Sequence, residues 1–450
     1  MHRKYEKDLE EWLHNPRKKP LVVYGARQVG KTYLIKNIFA ETHFKNKYLY
    51  IDCSDDQAFT EFNLKHNSLD KLLQYLKIEH NFTPTSENLL IIDEVQECLP
   101  ILRMLKQINE LKNYMNVIVS GSLVRMKIKR KMKNKKFLFP VGKINQIIIY
   151  PLTFDEFLYN YSLDLYNIAY DSYKKKKVTD DYTHQKLLDV FYEYLFTGGL
   201  PDAVDTYFFY KKDPTKSYEE VSKTLKEIFT NYLNDMELYQ TTPEMIIRTQ
   251  NVFKNIYSQL NKENKNFKAN SIEGVKNNRQ LVTPIDWLET ANVAFKASLT
   301  KEIVTSPITS DENLYRLYLN DMGLFTYQSK LSIPSFFVDK ESALSGIYFE
   351  NYLAIELVAH SFDLFYWKGK RNSEFEFLIE VNRRILPIDA KKSKGTIPSI
   401  KEFREHNKND VVIKVSKNKY GYNSENKILT LPFYYFTFFL DEINSGLFPY

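Results

Sequence analysis

Short apolar runs recur through the first 150 residues, and stretches of helical spacing separate them. Leu21-Val22-Val23-Tyr24, Tyr48-Leu49-Tyr50-Ile51-Asp52 and Leu89-Leu90-Ile91-Ile92 each read as a strand. So do Val117-Ile118-Val119 and the run 144–150. Residues 33–39 read as a helix, as does the stripe Leu69, Leu72, Leu73, Tyr75 and Leu76. Leu9, Trp12 and Leu13 predict a short helix ahead of the first strand. Thr153 and Glu156 stand three apart, the spacing of a capping box for a helix that Phe154 begins. Alternating strands and helices predict an α/β fold with a parallel, doubly wound sheet.

Beyond that core the pattern changes. Residues 161–235 are helical in spacing and rich in Tyr, Phe and Lys, and they predict a helical lid. Over 236–335 short helices are expected, among them 285–294 and 315–324, with Gly323 as a helix end and Ile303-Val304 strand-like. From about 336 to 450 a last domain is expected, with a helix over 350–357 and strands at Phe365-Tyr366-Trp367, 375–379 and 386–391. The first domain is taken as 1–160.

The loop after the first apolar run brings in chemistry. Gly25-Ala26-Arg27-Gln28-Val29-Gly30-Lys31-Thr32 fits G-x-x-x-x-G-K-[ST] and lies between a strand and a helix, the context the motif requires. Gly25 and Gly30 allow backbone angles that turn N–H groups inward onto phosphate oxygens. The following helix adds its positive end at the same point. Lys31 is expected to reach the β- and γ-phosphates of ATP, and the Thr32 hydroxyl to ligate Mg²⁺. The third run ends in Asp93-Glu94, the Walker B pattern, which aims Asp93 at the Mg²⁺ shell and leaves Glu94 to polarise the attacking water.

The segments GARQVGKT, LLIIDEVQ, VIVSGS, VGKINQIIIYPLTFDEFL and FTGGLPDAV resemble the prokaryotic AAA-superfamily ATP-binding proteins, relatives of the archaeal ATPases and of the STAND class. The resemblance runs over the whole chain. It implies an ASCE-type P-loop ATPase core, a helical lid, a winged-helix-like segment over 236–335 and a C-terminal domain. It also implies a γ-phosphate sensor at the end of the fourth strand. Ser120 and Ser122 both qualify, and the sequence does not choose between them. No motif marks a trans-acting arginine finger.

Two further patterns carry metal or nucleotide chemistry. Asn407-Lys408-Asn409-Asp410 fits the guanine-reading N-K-x-D, but it follows a helix-like stretch far from the loop and is set aside. Glu350 on a helix, Glu376 on one strand and Asp389-x-Lys391 on the next follow the PD-(D/E)xK nuclease layout. There Glu376 and Asp389 would hold Mg²⁺, Lys391 would position water and Glu350 would complete the shell. Both strand carboxylates are exchanged in length relative to the usual pattern. The fold is therefore expected either as an active nuclease or as a platform kept for binding.

The formal charge of +7 permits nucleic-acid contact without demanding it. The charge is uneven, with RMKIKRKMKNKK over 125–136 and a second run over 174–177. Candidate partners are DNA or RNA, a protein partner, or a second copy of the chain. No run of about 18 apolar residues predicts a membrane span. The charged start has no apolar segment of a signal peptide, and Cys53 and Cys98 form no metal or disulfide framework. The expectation is a cytoplasmic ATPase that hydrolyses ATP and couples this to movement of its C-terminal half.

Overall fold

Strands β1 (Leu21–Tyr24), β3 (Leu89–Asp93) and β4 (Asn116–Ser120) are buried along their whole length. That is why they read as unbroken apolar runs rather than alternating ones. With β2 (Tyr48–Asp52) and β5 (Asn145–Ile148) they form a parallel sheet in the order β2-β3-β4-β1-β5. The computed structural model describes residues 1–111, 115–122, 142–240, 242–301, 304–344, 346–370, 373–391, 397–407 and 411–448. It divides into two compact units, Met1–Tyr150 with Thr290–Asn292, and Pro151–Glu289 with Val293–Tyr450. The basic run at 125–136 and positions 408–410 of the N-K-x-D match lie outside the described residues.

In the first unit β4 is inserted between β1 and β3. The register pairs Val23 with Ser120, and Ile92 with Val119. The loop after β1, Ser120 and Asp93 therefore meet at one edge of the sheet, at the strand C-termini where α/β sheets place ligands. Helices Gln57–His66, Leu69–Glu79 and Pro100–Glu110 cover one face. Leu72, Leu76, Leu102 and Leu105 pack there with Val22, Ile92 and Val119 in one core.

The helix expected after the loop is present over Tyr33–Ala40 and is wound as a π-helix. Its buried residues are Leu34, Ile35, Phe39 and Ala40. They recur at an interval of five, and the wider winding stacks that interval on one face.

The second unit begins at Pro151, ten residues before the expected boundary at 160/161. The helix Phe154–Tyr161 belongs to it and starts with the predicted capping box, Thr153 N donating to Glu156 Oε2 at 3.0 Å. An eight-stranded mixed sheet runs through this unit. Its strands are β6 (Ala294–Thr300), β7 (Ser310–Leu319), β8 (Phe365–Lys368), β9 (Glu374–Val381), β10 (Arg384–Lys391), β11 (Val412–Ser416), β12 (Gly421–Asn423) and β13 (Ile428–Pro432). The order is β12-β13-β11-β10-β9-β8-β6-β7.

Two sequence expectations are corrected here. The stretch taken as winged-helix-like contributes β6 and β7 to the same sheet as the C-terminal strands, with Ser298 pairing Phe365 in parallel. The sheet therefore crosses the expected division at 335/336. Residues 315–319 are strand and not helix. Gly323 lies in the first turn of the helix Met322–Ser329 instead of ending one. Close approach, not chain termination, explains this glycine: a Cβ would collide with the Thr197 carbonyl oxygen.

The Gly198-Gly199 turn is held at the same point. Asp321 accepts from Gly199 N at 2.6 Å and from Leu324 N at 3.0 Å, and Leu152 N donates to Gly199 O at 2.7 Å. Burial pushes the Asp321 carboxyl up to about 6, against the pull of these backbone donors. In the second basic run Lys176 is bonded to Glu442 at 2.5 Å. Among the described residues no helix is long and apolar enough to cross a membrane.

Candidate nucleotide site and a buried charge cluster

The loop leaves β1 with Gly25 at φ 148°, Gln28 at φ 61° and Gly30 at φ 87°. The first of these needs glycine twice over. Its φ is hostile to L side chains, and a Cβ would collide with the Ile149 carbonyl oxygen just beyond β5. Ala26 and Val29 are buried and seat the loop, Arg27 and Gln28 are half-buried, and Leu34 N closes onto Gly30 O at 3.0 Å to begin the helix. Lys31 is buried, with its ammonium donating to Ala26 O at 2.7 Å and Gly25 O at 3.2 Å. The cation is thus parked on the loop's own carbonyls.

Asp93 gathers the neighbouring polar groups. Thr32 Oγ1 donates to Asp93 Oδ2 and Ser120 Oγ to Asp93 Oδ1, each at 2.5 Å. Tyr50 Oη adds a third bond at 3.2 Å. Burial and the charge of Asp93 push the Tyr50 phenol well up, so it stays a donor. Thr32 and Asp93 offer hard oxygen donors of the kind Mg²⁺ takes, in the number expected when phosphates and water supply the rest.

The two serines separate here. Ser120 contacts Asp93, whereas Ser122 Oγ is buried with no hydrogen-bond partner among the described residues. Glu94 has φ 46°, and its carboxylate accepts from the buried Gln96 amide. Burial raises the Glu94 carboxyl, against the Gln96 bond and the Lys31 charge.

Sequence reasoning missed the groups that brace this site. Gln96 lies two residues after Glu94, Tyr50 lies 43 residues before Asp93, and both read as ordinary loop and strand positions. Arg3 is buried although it precedes every motif, and it bonds to Val29 O and Tyr150 O. Nothing local in the sequence signals contacts 26 and 147 residues away.

The nuclease-like residues lie in the second unit. Glu350 sits on the helix Gly346–Ala359, Glu376 on β9 and Asp389 on β10, all buried. Glu376 Oε2 accepts from Ala390 N at 3.2 Å. Lys391 ends β10, and its side chain lies outside the described residues.

The expected metal shell is not what surrounds Glu350. Its carboxylate is salt-bridged to Lys265 and to Arg316, the latter at 3.1 Å, and Tyr318 Oη donates to it at 2.6 Å. Arg316 also reaches Glu374 at 2.9 Å and lies 4.0 Å from the centre of the Tyr366 ring. Burial works to raise the Glu350 carboxyl, but Lys265 and Arg316 together hold it far below the usual carboxylate range. Among the described residues no three of His, Cys, Asp and Glu form a group able to hold a metal. Two cations thus stand at Glu350, the residue that completes the shell in the nuclease layout.

Residues 17–158 match a family model described as an AAA domain. Residues 188–335 and 345–434 match two models described as domains of unknown function, DUF8612 and DUF4143. An uncharacterised protein of Methanocaldococcus jannaschii is 24% identical over an alignment of 304 residues that covers 64% of this chain and 58% of that protein. The chain thus spans little more than half the length of this curated relative.

Among solved structures, the Walker-type ATPase of Pyrococcus abyssi is similar with 14% identity and a TM-score of 0.44, over 73% of this chain and 95% of its own. AMPPCP-bound DnaA from Aquifex aeolicus shares 13% identity at a TM-score of 0.29, over 63% and 86%. The ADP form of the Aeropyrum pernix ORC2 protein shares 12% at 0.30, over 76% and 92%. The phosphate loop and the acid-tipped third strand both lie within the residues that match the AAA domain, and the two matches to domains of unknown function follow behind it.

Proposed function

We propose that the protein binds ATP with Mg²⁺ at residues 25–32, hydrolyses it to ADP and phosphate in the cytoplasm, and couples the cycle to conformational change in the second unit. The observation that carries this is the Thr32–Asp93–Ser120 arrangement, two hydroxyls on one buried carboxylate at the mouth of a glycine loop. The loop N–H groups bind the phosphates, and Lys31 exchanges the Gly25 and Ala26 carbonyls for phosphate oxygens. Thr32 and Asp93 hold the Mg²⁺, which when bound neutralises charge on the β- and γ-phosphates. Glu94 takes the proton of the attacking water as its oxygen bonds to the γ-phosphorus and the bond to the β–γ bridging oxygen breaks. Ser122, whose buried hydroxyl has no hydrogen-bond partner among the described residues, is proposed as a second hydroxyl for the γ-phosphate or the water.

The output of the cycle is proposed as a nucleic-acid-related process. A second reading is a nucleotide-dependent switch that grips a protein, with the nuclease-like domain as an inactive platform. The cations on Glu350 favour an inactive platform. An ATPase assay of the wild type and Lys31→Ala, with and without single- and double-stranded nucleic acid, tests both. Turnover that survives Lys31→Ala overturns the site. Binding of nucleic acid that falls with salt supports the first output, and no binding near physiological salt supports the second.

A further inference from the structure

We infer that Arg3 is a positioning residue for ATP, setting the phosphate-binding form of the loop from behind it. The inference rests on the nucleotide reading above. Arg3 is 4% exposed, and its guanidinium donates from Nη1 to Val29 O at 2.9 Å and from Nη2 to Tyr150 O at 2.7 Å. Its own surroundings are fixed in turn. Arg3 N donates to Glu6 Oε1 at 2.9 Å, the guanidinium lies 5.4 Å from the centre of the Tyr5 ring, and the Tyr5 hydroxyl accepts from Tyr150 N at 3.1 Å. One buried cation therefore ties the phosphate loop to the segment that leaves β5.

Peptide geometry turns this tie into a statement about phosphate. In a trans peptide the carbonyl and the following N–H point in opposite directions. Holding the Val29 carbonyl on Arg3 therefore holds the Gly30 N–H on the other side of the loop. Gly30, at φ 87°, has the freedom to let that peptide turn over. A turned peptide would offer phosphate an oxygen in place of a donor. Arg3 opposes that turn with a charge-assisted bond in a buried setting. The planar fork of arginine satisfies Val29 and Tyr150 together, which the single ammonium of lysine does not reproduce.

The test uses the full chain with Arg3→Ala and Arg3→Lys. A fluorescent ATP analogue reports affinity, steady-state assays separate KM from kcat, and thermal melting follows stability. Arg3→Ala removes both guanidinium bonds, and loss of the one to Val29 O predicts about tenfold weaker ATP binding and a raised KM, with kcat within about twofold. Millimolar guanidinium should restore affinity to Arg3→Ala and not to Lys31→Ala.

Should Arg3→Ala not fold, Arg3→Lys is measured and is expected to bind at an intermediate strength. Wild-type affinity in the variant that folds overturns the inference. So does a loss in Arg3→Ala that follows melting temperature and ignores guanidinium. A wild type that binds no ATP overturns the nucleotide reading instead, so the two failures are distinct.

Discussion

Thr32 Oγ1 donates to Asp93 Oδ2 at 2.5 Å, joining the end of the glycine loop to the tip of a strand two places away in the sheet. Under the proposed function this pair shares the Mg²⁺ of the nucleotide. Thr32→Ala removes the hydroxyl and is expected to weaken Mg·ATP binding by about tenfold, while Thr32→Ser keeps the oxygen and stays near wild type. Calorimetric titration with Mg²⁺ and with chelator checks this. Equal affinity in all three proteins refutes the shared-ion geometry.

Glu94 gives a prediction in pH. Burial raises its carboxyl above the ordinary value of 4.5. A general base must be ionised, so kcat/KM should fall on the acid side at a pH above that value. The Gln96 amide pulls the other way, since a donor to the carboxylate favours its charged form. Gln96→Ala should therefore move the acid limb further up. Profiles of both proteins between pH 4.5 and 9 decide it, and a downward move contradicts the assignment. Glu94→Gln should retain ATP binding and lose turnover by about a hundredfold or more.

Gly25 is set against the Ile149 carbonyl at a φ that L side chains avoid. Gly25→Ala must move the loop or the segment after β5. The expected result is loss of measurable ATP binding together with destabilisation of about 1–3 kcal/mol. Chemical denaturation and the binding assay measure the two effects.

In the second unit, Glu350 balances two buried cations. Glu350→Ala leaves Lys265 and Arg316 without it and should cost about 3–5 kcal/mol, read by urea denaturation. The sign of its pH dependence follows from the depressed carboxyl. Its contribution is present above about 4.5 and is lost as pH falls toward about 2. A variant as stable as wild type at neutral pH rules out this balance.

The nucleotide edge was legible because its chemistry is local. A glycine loop and an acid pair each announce themselves within ten residues, and a strand buried on both faces writes itself as an apolar run. Ser120 and Ser122 could not be separated, because both are hydroxyls at the end of the same apolar run. Only the position of Asp93 distinguishes them. The strand β7 was misread because Tyr315, Leu317 and Leu319 are interleaved with Arg316, Tyr318 and Asn320. Both faces are buried there, so no alternation survives. Arg316 at the centre looked polar and is in fact buried against Glu350 and Glu374. The sheet partners of β6 are 65 or more residues downstream in the case of β8, beyond the reach of any spacing rule.

The pairing of β6 with β8 bears on how the gene can be divided. The family boundaries between 335 and 345 invite expression of the C-terminal fragment alone. Such a fragment would lack β6 and β7 and expose the flank of β8, with Phe365 and Tyr366, the partners of Ser298 and Leu299, on an uncovered rim. Open rims of that kind recruit other chains. A soluble piece should instead start near Pro151, where the second unit begins.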